Sequence, residues 1–216
     1  RAGLLYTPPS QQGSLVRPSG GGVANWGGGA FDPETGVLYV KSSNVAGVQR
    51  LVRFDPETTT NPFADLDDPA YVGYDADLGG RATFEGGIPL NRPPYAYLVA
   101  VDLNAGEVAW RVPFGRGSDR LRAHPALRGL DLPERLGTPG APGAIVTKGG
   151  LVFVGGGEDA LYAFDKETGR EIWSAPLPER STATPMTYRS GSGRQFVLIA
   201  TGSGASQELV AFAPPE

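Results

Sequence analysis

Two stretches of the chain repeat one phrase, LVAVDLNAGEVAW at residues 98–110 and LYAFDKETGREIW at residues 161–173. The two copies align without gaps, with Asp, Gly and Trp at the same three places. In each copy an apolar strand enters, the Asp caps a tight turn, the Gly takes a positive φ, and a second strand leaves. Each phrase therefore predicts a β-hairpin, and the two outgoing strands end in Trp110 and Trp173.

A hairpin repeated with the same aromatic residue is typical of radially repeated sheets. A large ring at one place in each hairpin can pack between neighbouring blades, which buries faces that no single blade can bury. Further strands are indicated at residues 37–41, 195–201 and 208–212, each beside turn residues. We therefore predict an all-β protein in which residues 1–216 form part of a β-propeller with about four blade-like units.

Two long stretches lack strand periodicity, at about residues 59–92 and 115–142, and both are rich in Asp, Pro, Gly and Arg. Loops of this length in a compact domain are usually functional or disordered. We expect them to be excursions from the propeller edge that shape the mouth of a central funnel. The best helix candidate is short and lies around residues 118–126.

Composition excludes several classes of function. The net charge is −4 and the basic residues are scattered, so no nucleic-acid surface is expected. With no cysteine and one histidine, His124, the chain has little material for a thiolate metal site, a zinc site or a histidine-based triad. The apolar runs are strand-sized and far below the roughly 18 residues that a membrane-spanning helix needs. We assign neither a metal ligand nor a catalytic residue to this chain.

The most informative polar residue lies in the glycine-rich segment GGGVANWGGGAFD at residues 20–32. Glycine on both sides of Asn25-Trp26 lets the backbone approach a planar ligand closely. The Asn25 side chain offers both a donor and an acceptor, which suits a quinone or carbonyl edge. The alternative is structural, with Trp26 as another wedge between blades and Asn25 as a turn residue, and composition alone leaves both interpretations open.

These residues resemble a known family. Asn25-Trp26 followed by AFDPETGVLYV at residues 30–40 resembles the segment of pyrroloquinoline quinone (PQQ)-dependent alcohol and glucose dehydrogenases in which an Asn binds the quinone. GAIVTKGGLVFVG at residues 143–155 and TPMTY at residues 184–188 resemble the closing blades of that family. The resemblance implies an eight-bladed propeller with PQQ at its centre and a Ca²⁺ ion against the PQQ.

Carried over residue by residue, the resemblance implies a small set of cofactor contacts. Asn25 would bind the quinone, Trp26 would lie beside it, and the backbone at Pro142 and Gly143 would face it. Glucose-oxidising members carry a His in a Gly-Gly-His-Gly turn where this chain has Ser203 between two glycines. Ser203 is therefore a candidate substrate contact, and the resemblance does not specify glucose.

The family's calcium ligands and its aspartate base lie upstream of the Asn-Trp segment and have no counterpart here. We therefore expect this chain to be about the C-terminal half of the propeller, with the N-terminal half as its partner. The implied reaction is oxidation of an alcohol or sugar hydroxyl, with electrons passed to ubiquinone or cytochrome c. The implied location is the periplasm, with membrane association only through a segment outside this sequence.

Two other interpretations remain open at this stage. Related propeller repeats also build non-enzymatic scaffolds, such as an outer-membrane assembly lipoprotein, and a four-bladed half-propeller that dimerises is conceivable. The Asn25-Trp26 segment and the phrase at residues 184–188 favour the dehydrogenase, because a scaffold has no reason to keep them.

Overall fold

A computed structural model describes residues 7–19, 21–55, 57, 73–77 and 80–215. Within them are fourteen strands, numbered in chain order: β1 Ser14–Val16, β2 Gly29–Asp32, β3 Val37–Ser43, β4 Gly47–Arg53, β5 Tyr74–Asp77, β6 Ala96–Asp102, β7 Glu107–Pro113, β8 Ala144–Val146, β9 Leu151–Gly155, β10 Ala160–Asp165, β11 Glu171–Pro176, β12 Met186–Arg189, β13 Gln195–Thr201 and β14 Glu208–Phe212. The helical elements are one α-helical turn and three 3₁₀ turns: α1 Asp119–Arg122, Glu85–Gly87, Pro125–Leu127 and Gly204–Ser206.

The chain divides into two compact units. The first comprises Arg1–Gly22 and Val45–Asn91, and its described strands form one antiparallel sheet in the order β1-β4-β5. The second comprises Val23–Asn44 and Arg92–Glu216. In the sequence, the longer segment of the first unit, Val45–Asn91, lies between β3 and β6. These two strands pair with each other in the second unit.

The second unit is a row of antiparallel sheets with the chain order of propeller blades. Two sheets have four strands, in the orders β2-β3-β6-β7 and β8-β9-β10-β11, and a third has the order β12-β13-β14. The two hairpins predicted from the repeated phrase are β6–β7 and β10–β11, each with a register shift two residues before the Asp. The all-β, partial-propeller prediction is confirmed.

Trp110 joins the first four-stranded sheet to the turn of the second. Its indole Nε1 donates a hydrogen bond to the carbonyl of Lys166 at 3.0 Å. Its ring covers Gly169 so closely that a Cβ there would lie 2.6 Å from the ring. Gly169 also has a φ of 71°, so the turn needs glycine for its conformation and for the contact. The predicted wedge role of this Trp is confirmed.

Between these two sheets lies the main hydrophobic core. Its largest side chains are fully or almost fully buried and come from both sheets: Tyr39, Leu98, Phe114, Val152, Tyr162 and Phe164. The Phe114 ring lies 5.5 Å from that of Tyr162 and 5.8 Å from that of Phe164, which are separations typical of attractive aromatic pairs. The second copy of the wedge, Trp173, packs edge-on against Phe212 at 5.3 Å.

An ion pair lies at the same junction. Lys166 Nζ donates to Asp32 Oδ2 at 2.8 Å, and the two side chains are only 11% and 7% exposed. The hydrogen bond from Lys166 holds the pKa of Asp32 below its ordinary value of 3.8, against the opposing effect of burial. The same bond raises the pKa of Lys166 above its ordinary value of 10.5. The pair is therefore fully ionised at neutral pH.

The excursion at residues 115–142 is anchored to the second sheet. Ser118 caps α1, inside the stretch predicted to be helical. Thr138 donates to the Glu158 carboxylate, which also accepts from the Tyr162 hydroxyl at 2.8 Å. Burial and Glu158 both raise the pKa of Tyr162, so this hydroxyl remains a donor. In the predicted excursion at residues 59–92, residues 59–72, 78 and 79 lie outside the described residues, and the described part contains β5 and the 3₁₀ turn Glu85–Gly87.

Trp110→Ala should destabilise the protein by about 2–4 kcal/mol, because it removes the ring that spans two sheets and leaves a cavity. Urea unfolding followed by far-UV circular dichroism measures this change. Val108→Ala is the matched control, since Val108 lies on the same strand and is 59% exposed. Equal effects of the two substitutions would contradict the wedge role.

The Asp32–Lys166 pair predicts a defined pH dependence. Because the folded-state pKa of Asp32 is depressed, the stability that it contributes is present above its ordinary pKa of 3.8 and is lost as the pH falls. The stability advantage of the wild type over Asp32→Asn should therefore be constant near neutrality and shrink below pH 3.8. Urea titrations across this range measure it. Glu34→Gln, which removes an exposed ion pair with Lys148, should show little pH-dependent difference.

Candidate cofactor site

Three loop segments meet at the start of the three inner strands of the second unit. Residues 25–28 lead into β2, residues 140–143 lead into β8, and residues 181–185 lead into β12. In a propeller the first strand of each blade lies nearest the axis, so these segments occupy the axial side. The segments therefore form one candidate site assembled from three blades.

The backbones of these segments approach each other without room for side chains. A Cβ on Gly27 would lie 2.5 Å from Gly143 N and would overlap the carbonyl of Ala141. A Cβ on Gly143 would overlap the Thr184 hydroxyl and the Gly27 carbonyl. The Thr184 hydroxyl donates to Gly27 O at 3.5 Å, a long hydrogen bond. Glycine at residues 27 and 143 is thus a condition for the convergence.

Asn25 and Trp26 lie on a tight turn at the rim of this convergence. Gly28 N donates to Asn25 O at 2.9 Å, and Trp26 N donates to Asn25 Oδ1 at 2.9 Å. The second bond fixes the Asn25 side chain close to its own backbone. The Trp26 ring is 96% exposed, so Trp26 does not pack as a wedge between the described sheets. An exposed indole beside a fixed amide is suited to a planar partner.

Pro142 and Gly143 lie directly against the Asn25-Trp26 turn through Gly27. Pro142 is fully buried. Two residues earlier, the carbonyl of Gly140 accepts hydrogen bonds from Lys41 Nζ at 2.9 Å and from Ser43 Oγ at 3.1 Å. The structure therefore brings together four of the five residues predicted for the site.

The fifth, Ser203, has its hydrogen bonds within its own turn. Its backbone N–H donates to Ser206 Oγ at 3.4 Å, and the Ser206 hydroxyl donates back to its carbonyl at 3.0 Å. Gly202 N donates to Arg180 O at 3.0 Å, which ties this turn to the segment that carries Thr184. Ser203 is exposed and thus sterically open to a ligand.

Sequence reasoning missed the residues that hold the site together. Gly27 was visible in the sequence only as one of three consecutive glycines, and Thr184 only as part of a phrase. Lys41 carried a clearer signal, because it alternates with Tyr39 and Ser43 on β3 and so had to share their buried face. A charged residue at such a position needs a polar partner, and here the partner is the 140–143 segment.

Metal ligands and membrane spans are both absent from the described part of the chain. In that part, no group of three or more His, Asp or Glu side chains is placed to bind a metal ion. Nor does any described helix have the length and apolar character needed to span a membrane.

An apolar cavity of about 510 Å³ lies elsewhere, between the second four-stranded sheet and the three-stranded sheet. Trp173, Phe153, Phe196 and Phe212 supply much of its aromatic lining. No residue of the three converging segments lines it, and its walls offer little to a reacting polar group. We therefore place the candidate site at the axial segments.

Comparison with known proteins gives the family. A family model described as Glucose/ethanol/alcohol dehydrogenase, beta-propeller domain (PQQ), matches residues 1–197. The chain belongs to this family. It is 36% identical over 225 residues to quinoprotein glucose dehydrogenase A of Acinetobacter calcoaceticus, a match that covers 98% of this chain and 27% of the relative.

Two further matches describe other family members. Quinate/shikimate dehydrogenase (quinone) of Acinetobacter baylyi is 33% identical over 220 residues, with 94% of this chain and 26% of the relative covered. The solved quinohemoprotein alcohol dehydrogenase of Comamonas testosteroni superimposes with a TM-score of 0.56 at 25% identity, over 88% of this chain and 24% of that one. The chain thus spans about a quarter of the length of these relatives.

Two residues at the rim of the convergence have features that suit a planar ligand. Gly27 and Gly143 lie behind them, where a side chain on either glycine would meet protein atoms and not open space. Asn25 presents a fixed amide, and the exposed Trp26 offers a ring face for stacking. The described residues offer no comparable fit for Ca²⁺, because they lack the required cluster of carboxylates.

Gly27→Ala and Gly143→Ala should each destabilise the protein by about 1–3 kcal/mol, because the new methyl group meets backbone that cannot move independently. Thermal unfolding measured by circular dichroism reports the change. Gly149→Ala is the control, since its nearest neighbouring atom would lie 3.9 Å from the new Cβ. Unchanged stability in both test variants would show that the three segments do not converge as described.

Proposed function

We propose that this chain forms part of a PQQ-dependent dehydrogenase that oxidises an alcohol or sugar hydroxyl. The observation that carries the proposal is the convergence of Gly27, Gly143 and Thr184 beside the exposed Asn25-Trp26 pair. Family membership supports it, because relatives at 33–36% identity are named as quinone-dependent dehydrogenases of glucose and of quinate or shikimate. In the proposed holoenzyme, PQQ would supply the two-electron acceptor and Ca²⁺ would supply a Lewis acid, bound by residues that we do not assign to this chain.

Each site residue has a distinct proposed role. Asn25 binds a polar edge of the cofactor through its amide, and Trp26 stacks beside the cofactor and shields it from water. Pro142 and Gly143 form a rigid support behind the Asn25-Trp26 turn, since Pro142 is buried and Gly143 is held against Gly27. Ser203 offers a hydroxyl to the substrate. We assign neither the general base nor the calcium ligands to this chain.

Relatives of the chain are named for several substrates, so we propose a substrate class and not a single compound. These relatives are named as glucose, glycerol and quinate or shikimate dehydrogenases, and the molecules in these names all carry a secondary hydroxyl group. A short Ser203 side chain leaves more room than the imidazole of the glucose-oxidising pattern. We therefore propose a polyol, sugar or other secondary alcohol as substrate, ubiquinone or cytochrome c as electron acceptor, and the periplasm as location.

The test uses the full-length protein that contains this chain, purified without cofactor and titrated with PQQ in the presence and absence of Ca²⁺. Quenching of tryptophan fluorescence reports binding. We expect tight binding only with Ca²⁺, and Asn25→Ala should weaken it about tenfold, the effect of losing a hydrogen bond worth roughly 1.4 kcal/mol.

Asn104→Ala is the control for this titration. Asn104 is an exposed amide on the β6–β7 turn, where it donates to Thr35 O, and it should leave PQQ affinity unchanged. Absence of PQQ binding by the wild type would overturn the proposal and favour the scaffold interpretation. Normal binding by Asn25→Ala would remove Asn25 from the site while leaving the dehydrogenase assignment intact.

A further inference from the structure

Lys41 is an unusual residue for the interior of a propeller blade. It lies on β3, where it is 2% exposed, and it shares a face with the buried Tyr39 and Ser43. Burying an ammonium group is costly unless hydrogen bonds and nearby electron density replace its water. What compensates this charge therefore indicates what Lys41 does.

Gly140, a residue of the candidate site, supplies one part of that compensation. Lys41 Nζ donates to the Gly140 carbonyl at 2.9 Å, and Ser43 Oγ donates to the same oxygen at 3.1 Å. Gly140 N donates back to Ser43 Oγ at 3.2 Å. Lys41 Nζ also lies 5.6 Å from the centre of the buried Phe114 ring, a cation–π distance. Two side chains of β3 thus hold both polar backbone groups of Gly140.

The repeats show that a blade does not require this lysine. Lys41 pairs with Leu98, the leucine that opens the repeated phrase. At the equivalent place in the next sheet, Gly155 pairs with Leu161, the leucine at the matching position of the second copy. Because the other blade has glycine at the equivalent position, we look for the reason for Lys41 in the contacts of its own blade.

The two positions differ in how the following inter-blade segment contacts the strand. At Gly155 the segment leading into β12 lies directly on the strand, since a Cβ there would be 3.1 Å from Ala183 O. At Lys41 the segment leading into β8 is held by side chains instead, since Lys41 Nζ and Ser43 Oγ both donate to Gly140 O. Gly140 has a φ of 150°, a backbone conformation that L side chains rarely adopt. Two side chains of β3 are thus bonded to a residue in this conformation.

We propose that Lys41, assisted by Ser43, is a positioning residue that fixes the 140–143 segment, and with it Pro142 and Gly143, at the cofactor site. The inference rests on the proposed function. Gly143 contacts the Asn25-Trp26 turn through Gly27, so a displacement of Gly140 would reach, within three residues, the backbone that supports this turn. Lys41 itself need not touch the cofactor.

The test is PQQ titration of the full-length apoprotein with Ca²⁺, followed by tryptophan fluorescence, together with thermal unfolding and steady-state kinetics. Lys41→Met keeps most of the length and the apolar stem of the side chain but removes its donors. We expect the dissociation constant for PQQ to rise about tenfold, as for loss of a hydrogen bond from a charged group, with kcat at saturating PQQ almost unchanged. Ser43→Ala should raise the constant about threefold, because the two hydrogen bonds that it removes are neutral and long.

Lys148→Met is the matched control, since Lys148 is 88% exposed and lies in the same unit. A merely structural role would lower the unfolding temperature of Lys41→Met and Ser43→Ala but leave the PQQ affinity of the folded fraction unchanged, and that result overturns the inference. If Lys41→Met does not fold, Ser43→Ala decides the question alone. Failure of the wild type to bind PQQ would instead overturn the proposed function.

Discussion

The packing of Trp110 on Gly169 is the contact on which the rest of the second unit depends. The ring leaves one sheet, covers the turn of the next and is fixed there by a hydrogen bond to Lys166 O. Lys166 in turn forms an ion pair with Asp32 of the first four-stranded sheet. Each four-stranded sheet therefore contributes a side chain that binds the other. Because each sheet is one blade, the distance between the two sheets determines where the inner strand of each blade begins. The same distance determines how closely the axial loops approach each other.

The site is a consequence of that spacing. Once the sheets are set, the segments before β2, β8 and β12 come so close that Gly27 and Gly143 cannot carry side chains. Binding residues on loops held by a rigid scaffold are common, because the scaffold fixes the loops without taking part in the chemistry. Here the scaffold leaves Asn25 fixed and Trp26 exposed at the rim.

Much of the fold was predictable because it depends on local patterns. The turn residues Asp and Gly and the terminal Trp specify a hairpin within thirteen positions, and a second copy makes the repeat visible. Asn25 was a candidate from its glycine-rich segment, whereas Gly143 became one only through resemblance to a family. The roles of Thr184 and Lys41 were not predicted, since they depend on contacts 157 and 99 residues apart along the chain. Spacing of this size leaves no trace in local periodicity.

The most direct test of the central claim is a crystal structure of the full-length protein with PQQ and Ca²⁺. We expect PQQ at the axial segments, with the Asn25 amide within about 3 Å of a cofactor oxygen or nitrogen. We also expect the Trp26 ring against the cofactor. Cofactor density at a place remote from Asn25 and Trp26 would show that the axial segments are not the cofactor site.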